Sequence, residues 1–319
     1  MASFGDLNRV NTNIQSLDSQ LSLNKINKQM AENQLRMSTG KRINRAEDDS
    51  AGYSIATKLR ARVGGLNQAM QNVGDAKSVL DIAESSFGTI MDNLVEMKGL
   101  ATQAANDTLG QDERGFIGDQ LKALGDDINK IADQTVYQDY ELLNGADSGN
   151  TGSLSLTFQV GERESDTIEA DLNAVNVGEL FTDGADASLG AAIADGGATA
   201  GGAAITATAA TAGGQGALTF ATNATSADYR AFLSHVDDAI TSMSGNVNDI
   251  GITQSSLSVR EQTLSEAISA NESAKSRIMD TDFAKAQSES VRLQILQQTA
   301  TSSLAQANNG PQSVLGFIG

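Results

Sequence analysis

Residue types that commonly perform chemistry are scarce in this chain of 319 residues, which has one histidine and no cysteine. The histidine, His235, precedes Asp237 and Asp238, and such a trio could ligate a metal ion or move protons. A solvated position on a helix is the simpler explanation, because one histidine cannot supply a paired-histidine metallopeptidase motif. Without cysteine the chain forms no disulfide and performs no thiol catalysis. The inventory predicts a protein that is not an enzyme and has no metal site.

Two stretches resemble ligand-binding loops only superficially. STGKR at 38–42 lacks the first glycine and the following Ser/Thr of a phosphate loop, and the Gly-rich stretch 184–216 contains no GxGxxG. We therefore expect no cofactor. The formal net charge of −18 disfavours nucleic acid and anionic membranes as partners.

Membrane and export signals are also missing from the sequence. It has no apolar run long enough for a transmembrane helix, so no membrane insertion is expected. The first twenty residues lack a basic start followed by an apolar core, so a secretory signal peptide is not expected either. An extracellular protein of this sequence would need another export route.

Charged residues of both signs are concentrated in one short segment, residues 40–49, here called the elbow. Its members of interest are Gly40, the cations Lys41, Arg42 and Arg45, and the anions Glu47, Asp48 and Asp49. Gly40 can end a preceding helix, where cations are favourable. Asp48 and Asp49 could bind a cation or start a following helix, and the helix start is favoured because aspartate caps helices. The segment predicts a charged joint between two helices.

The elements around the elbow are predicted from apolar stripes at helical spacing. The stripes cover residues 8–37, 66–104, 117–131, 229–268 and 283–307. The second is the strongest, because twelve apolar positions from Leu66 to Ala104 alternate in steps of 3 and 4. Low bulk and acidic flanks favour helix packing over lipid binding as the use of these stripes.

The two terminal regions predict surfaces that pack together and against copies of the chain. The first stripe changes phase between Leu21 and Leu23, and Pro311 is expected to end the last one. Residues 1–60 hold nine cations and six anions, a balance of +3, and residues 280–319 hold two and three, a balance of −1. The middle therefore carries −20, and the nearly neutral ends are expected to pair with each other.

The middle of the chain changes period. Residues 153–160 and 166–172 alternate with period two and predict a β-hairpin. Residues 184–216 are dominated by Ala, Gly and Thr, which predicts a small exposed lobe or a mobile loop, and 216–222 a short strand. The expected fold is mainly α, with long antiparallel coiled-coil helices from both chain ends, a β-hairpin and a small exposed β or irregular central region.

Two long motifs at opposite ends of the sequence resemble those of bacterial flagellins. LRMSTGKRINRAEDDSAGYSIATKLRARVGGLNQAMQNVGDAKSVLDIAE resembles their N-terminal signature, and SRIMDTDFAKAQSESVRLQILQQTATSSLAQANNGPQSVLGFI their C-terminal one. NLVEMKGLATQAAND and LTFQVG are also similar to flagellin segments and follow in the expected order. The resemblance covers about residues 8–180 and 225–319.

This resemblance implies an extracellular structural subunit that polymerises into the flagellar filament for swimming. It implies an inner-tube coiled-coil domain from residues 1–47 and 280–319, an outer-tube domain from 48–180 and 225–279, and a variable surface region at 181–224. The implied partners are copies of itself, the flagellar cap, hook-associated junction proteins, an export chaperone and the type III export apparatus, which exports it unfolded. A hook–filament junction protein, which has flagellin-like ends, is the alternative.

The resemblance also implies roles for particular residues. The assembly elbow comprises Gly40, Arg42, Asn44, Asp48 and Asp49. Inner-tube packing is assigned to Leu17, Leu21, Phe283, Leu293, Leu296 and Leu304. Many flagellins are detected by a Toll-like receptor through an Arg and a Leu on the long helix and a Glu on the next. The matching positions here are Glu96, Leu100 and Gln120.

Overall fold

A computed structural model describes residues 12–138, 140–144, 153–181, 205–207 and 216–315, with side chains up to residue 309. The helices are α1 (Ile14–Thr39), α2 (Ser50–Ala104), α3 (Gln111–Gln134), α4 (Val177–Phe181), α5 (Ser226–Met279) and α6 (Phe283–Leu315). The strands are β1 (Val136–Tyr137), β2 (Tyr140–Glu141), β3 (Ser153–Gln159), β4 (Thr167–Asn173), β5 (Ile205–Ala207) and β6 (Leu218–Phe220). The mainly α fold is confirmed, and the chain divides into unit 1 (1–64 and 267–319) and unit 2 (65–266).

Unit 1 is built on the antiparallel pair of α1 and α6. The side chain of Asn13 accepts a hydrogen bond from the Ser16 N–H at 3.0 Å and so caps the start of α1. Gly40 ends α1 in the left-handed conformation with φ 69°, as predicted. The expectation that Pro311 ends the last helix is wrong, since α6 continues to Leu315. Proline removes one backbone N–H but leaves the neighbouring bonds of a long helix to hold the backbone.

Unit 2 is built on α2, α3 and α5. All twelve positions of the strong stripe, from Leu66 to Ala104, are buried, which confirms that it packs in a core. Polar contacts flank this core, with Lys77 Nζ 3.0 Å from Glu261 Oε2 and Lys98 Nζ 2.5 Å from Asp237 Oδ1. The residue number on α5 falls from 261 to 237 as the residue number on α2 rises from 77 to 98, so the two helices are antiparallel.

The predicted hairpin is present as the antiparallel pair of β3 and β4, in the register Phe158 opposite Ile168. Side chains of two helices hold its turn in place. Asn72 Nδ2 donates to the Gln159 carbonyl at 3.0 Å, and Arg260 Nε donates to the Val160 carbonyl at 3.2 Å. The sequence did not predict the two-residue pair of β1 and β2, which is too short to establish a period.

A second small sheet corrects the expectation for part of the stretch 184–216. β5 pairs with β6 in antiparallel fashion, and Ile205 has no solvent exposure. Residues 205–207 are therefore neither an exposed lobe nor a mobile loop, because strand pairing lets even a short Ala/Thr-rich segment bury one isoleucine. Most of the remaining stretch lies outside the described residues. Phe220 of β6 lies 5.4 Å from Phe232 and 6.1 Å from Tyr229, between ring centroids, and so joins this sheet to the core of unit 2.

Two deletions in this region should have different effects on stability. Removing residues 190–204 keeps β5, whereas removing 190–214 deletes it together with the buried Ile205. We expect the longer deletion alone to lower the free energy of unfolding of unit 2, by at least about 2 kcal/mol, as for loss of a buried isoleucine. Thermal denaturation followed by circular dichroism measures this, with Ile205→Ala in the full chain as control. Equal melting temperatures for the two deletions would contradict the structural role of β5.

Candidate assembly site

The elbow is tied to a second joint, residues 279–282, by a short antiparallel bridge within unit 1. The Arg42 N–H donates to the Met279 carbonyl at 2.6 Å, and the Thr281 N–H donates to the Gly40 carbonyl at 2.9 Å. Lys41 and Asp280 are paired between these two bonds. The bridge fixes the end of α1 against the start of α6.

The charged groups of both joints serve helix ends. Arg42 Nη2 donates to the Ile278 carbonyl at 3.0 Å, in the last turn of α5, where a cation is favourable. Asp282 Oδ1 accepts the N–H groups of Ala284 and Lys285 at 3.0 and 3.2 Å and so caps α6. No apolar period marks this second joint in the sequence, although DTD at 280–282 is a recognisable helix start.

Asp48 and Asp49 have different roles. Asp49 Oδ1 accepts the Gly52 N–H at 2.9 Å and caps α2, as predicted. Asp48 does not cap α2, which corrects the prediction, because its Oδ2 accepts the N–H groups of Asn44 and Arg45, both at 2.9 Å. Asn44 in turn donates from Nδ2 to the Lys41 carbonyl at 2.9 Å. The carboxylate of Asp48 therefore folds the elbow back on itself.

These backbone N–H groups hold the pKa of Asp48 below its ordinary value, first through Arg45 and then through Asn44. A lowered pKa in the folded state means that the ionised form is the one that stabilises the elbow. This contribution is complete above the ordinary value of 3.8 and is lost as the pH falls through the lowered pKa. The two hydrogen bonds that Asp48 accepts are therefore present above pH 3.8 and are lost only below it.

Sequence reasoning missed two residues that close the elbow. Ile43 is buried beneath it although it lies in a charged segment. Gly52 is also buried, and a Cβ at this position would lie 2.5 Å from Asp49 Oδ2 and 2.8 Å from Ile43 Cδ1. The available signal was a lone isoleucine between cations and a glycine at the third helical position.

The double substitution Asp48→Ala with Asp49→Ala should weaken assembly or change filament shape. It removes three hydrogen bonds that the carboxylates accept from backbone N–H groups. Such a bond to a charged acceptor contributes on the order of 1.5–3 kcal/mol, and less where solvent screens it, as at this exposed joint. Asp171→Ala, at an exposed position of β4, is the control. Electron microscopy and sedimentation of polymer compare the variants, and equal behaviour of all chains would count against the elbow as an assembly determinant.

The six residues assigned to inner-tube packing occupy different environments. Leu293 is buried against α1 and Leu304 is half-buried. Leu17 and Leu21 are 58% and 71% exposed, and Phe283 and Leu296 are also exposed. The phase change in the first stripe explains the exposure of the two α1 residues, because the Leu23 and Ile26 face is half-buried while the Leu17 and Leu21 face points to solvent.

The three receptor-equivalent residues lie in unit 2 at similar levels of two antiparallel helices. Glu96 and Leu100 are one turn apart on α2, the first exposed and the second half-buried. Arg114 Nε donates to the Ala104 carbonyl, and Thr135 Oγ1 donates to Ser86 Oγ. These contacts place Gln120, which is exposed, at about the level of Leu100 on the neighbouring α3.

The described residues offer no catalytic arrangement. His235 is half-buried on α5, and in the described part of the chain no three His, Asp or Glu side chains are grouped as metal ligands. Among the described helices, none is both long and apolar enough to cross a membrane. Among the described residues, the side chains with a defined structural role are those that cap helix ends and those that pack between helices.

Comparison with known families matches both ends of the chain. The bacterial flagellin N-terminal helical region matches residues 10–148, and the bacterial flagellin C-terminal helical region matches residues 233–318. Together these matches include both joints, the paired terminal helices and most of unit 2.

Similar proteins extend over nearly the whole chain. Flagellin of Bacillus subtilis is 34% identical over 97% of this chain and 99% of its own length, and flagellin of Halalkalibacterium halodurans is 31% identical over 89% of each. A Vibrio parahaemolyticus structure described as a flagellar hook-associated protein shares the fold, with a TM-score of 0.54 and 16% identity over 73% of this chain and 100% of that one. The chain belongs to the bacterial flagellin family, the structural, non-enzymatic subunits of the extracellular flagellar filament.

Proposed function

We propose that this chain assembles into a long helical filament for swimming by burying the outward face of its α1–α6 pair against copies of itself. The exposure of Leu17 and Leu21 is the observation that carries this proposal. Apolar residues in a stripe on a long helix favour burial against a partner. Val291 and Ile295, one turn apart on α6, are also exposed.

The elbow lies at a boundary between two domains in this proposal. We assign residues 1–47 and 280–319 to an inner-tube domain, 48–180 and 225–279 to an outer-tube domain, and 181–224 to a variable surface region. The elbow and its partner joint lie where the first two domains meet in sequence. Gly40, Arg42, Asn44, Asp48 and Asp49 would fix the geometry with which each subunit enters the polymer.

Export and accessory partners complete the proposal. The chain would pass unfolded through the type III flagellar apparatus with an export chaperone and polymerise beneath the cap, onto hook-associated junction proteins. The chain has no disulfide that would hold it folded. In unit 1 the apolar residues of α1 that face α6 are only half-buried, which is compatible with passage as an unfolded chain. The junction-protein alternative is not favoured, because two relatives that match 89% and 97% of this chain are flagellins.

Leu17→Asp with Leu21→Asp should abolish polymerisation of purified chain. Each leucine contributes about 1.5–3 kcal/mol when buried, so the critical concentration should rise at least roughly a hundredfold. Ser22→Asp with Gln29→Asp adds the same charges to another exposed face of α1 and is the matched control. Electron microscopy with filament seeds and sedimentation provide the readout. Long filaments from the leucine variant, or equal loss from both variants, would refute the proposal.

A further inference from the structure

The face along which α1 packs on α6, here called the seam, is unusual because the most buried side chain that α1 contributes to it is polar. Among the described residues of α1, Asn33 is the one buried side chain, with 8% exposure. The apolar seam residues Leu23, Ile26 and Met30 are half-buried. The corresponding seam of α2 in unit 2 is apolar at all twelve positions. A buried amide in a helix pair is costly unless it is hydrogen-bonded.

Asn33 is satisfied by one particular acceptor on the partner helix. Its Nδ2 donates to the Ala286 carbonyl at 2.8 Å, and Ala286 is itself buried. The small alanine side chain lets the amide reach the backbone of α6. At the other end of the pair, Asn13 Nδ2 donates to the Ala307 carbonyl at 2.8 Å, again at an alanine.

We propose that Asn33 sets the register of the antiparallel α1–α6 pair, and thereby decides which residues of α6 lie at the level of the exposed Leu17 and Leu21. A slip of one heptad, about 10 Å along the helix, would place Leu293 where Ala286 now lies. The bulkier side chain would block the amide and leave it buried without a partner. Loosely packed apolar residues tolerate such a slip far better, so the polar contact discriminates between alignments.

The bridge at the elbow is the competing explanation for this register, since it also fixes one end of the pair. A substitution that spares the bridge can separate the two. Asn33→Leu removes the amide and leaves the elbow unchanged. Asn27→Leu is the matched control, because Asn27 accepts a bond from Gln297 Nε2 at 2.9 Å across the same pair but is exposed.

The absence of cysteine from the chain permits a direct test by cross-linking. Ser16→Cys with Asn308→Cys reports the observed register, because Ser16 Oγ lies 2.8 Å from Asn308 Oδ1. Ser16→Cys with Leu315→Cys reports the slip that brings Leu293 to the place of Ala286, because the same slip brings residue 315 to the place of residue 308. Both pairs are placed in the full chain and treated with the shortest bifunctional thiol reagent, and peptide mapping is done on monomer and on sedimented filament.

With Asn33 present, we expect the first pair to cross-link and the second not to. Asn33→Leu should raise the ratio of slipped to observed cross-links at least tenfold without loss of helical circular dichroism, and Asn27→Leu should leave it unchanged. An unchanged ratio in Asn33→Leu would overturn the proposal and assign the register to the elbow bridge or to the Asn13 contact. Absence of the first cross-link in both preparations with Asn33 present would also overturn it. Because the readout is alignment, it is independent of whether the leucine face drives polymerisation.

Discussion

Deletion of residues 280–319 should leave a soluble, largely helical monomer that forms no filaments. The deletion removes α6 and with it the buried Leu293 and the acceptor of Asn33. It also removes Thr281, so the elbow keeps one of its two bridging hydrogen bonds. Unit 2 keeps the buried α2 stripe and its contacts with α5, because these lie within residues 65–266.

Two measurements separate the effects on folding and on assembly. Circular dichroism with thermal denaturation should show that the main unfolding transition, which reports unit 2, remains within about 0.5 kcal/mol of the full chain, the scatter expected for changes remote from a core. Seeded polymerisation should give no sedimenting material at concentrations where the full chain polymerises completely. Normal filaments from the truncated chain would refute the role of α6, and insoluble product would refute the independence of unit 2. The 190–204 deletion provides a control of altered length with both helices of the α1–α6 pair intact.

The parts of this fold that the sequence predicted are those with a long, unbroken period. Twelve positions of α2 repeat without a miss, and all twelve are buried, because a single helix face must meet one continuous partner. The β3–β4 hairpin was predicted for the same reason, since alternation over seven residues specifies which side faces the core. Gly40 was predicted because a left-handed helix end admits few other residues.

The parts that were missed depend either on partners remote in sequence or on a choice between two local partners. Ile205 is buried only because β6 lies beside it, and an Ala/Thr-rich composition does not reveal that pairing. Asp48 was assigned to the following helix, although its carboxylate turns back to Asn44 and Arg45, because acidic residues before a helix have two possible donors. Asn33 continues the spacing of Leu23, Ile26 and Met30, but the sequence does not reveal the alanine carbonyl, 253 residues away, that accepts its hydrogen bond. The sequence shows which residues can cap or pack, but it does not show which of several possible partners each of them meets.

This flagellin should activate the Toll-like receptor that detects many flagellins only weakly. The resemblance places Glu96 where detected flagellins have an Arg, Leu100 at their Leu, and Gln120 at their Glu. The apolar contact is therefore kept, while one cation is replaced by an anion and one anion by a neutral amide. Glu96 and Gln120 are exposed in unit 2 and Leu100 is half-buried, so the changed groups are accessible to a partner.

The size of the expected loss follows from the chemistry of charged interfaces. Truncating one partner of a buried, hydrogen-bonded charge pair costs about 2–5 kcal/mol, and placing the opposite charge there is no better. This corresponds to roughly a thirty-fold to several thousand-fold loss of affinity. The competing possibility is that the receptor tolerates Glu96 as a solvated helix residue, in which case activation would be close to that by a stimulatory flagellin.

Glu96→Arg with Gln120→Glu should increase receptor activation at least tenfold over the unchanged chain, in a reporter-cell assay with purified monomer. The change should not harm the fold, because Arg at 96 would lie one turn after Asp92, an orientation that stabilises a helix by a few tenths of a kcal/mol. Asp126→Arg, a charge reversal at another exposed position of α3, is the matched control and should restore nothing. Potent activation by the unchanged chain would refute the prediction of weak recognition. Failure of the double variant to exceed the Asp126 control would instead refute the assignment of Glu96 and Gln120 as the residues responsible.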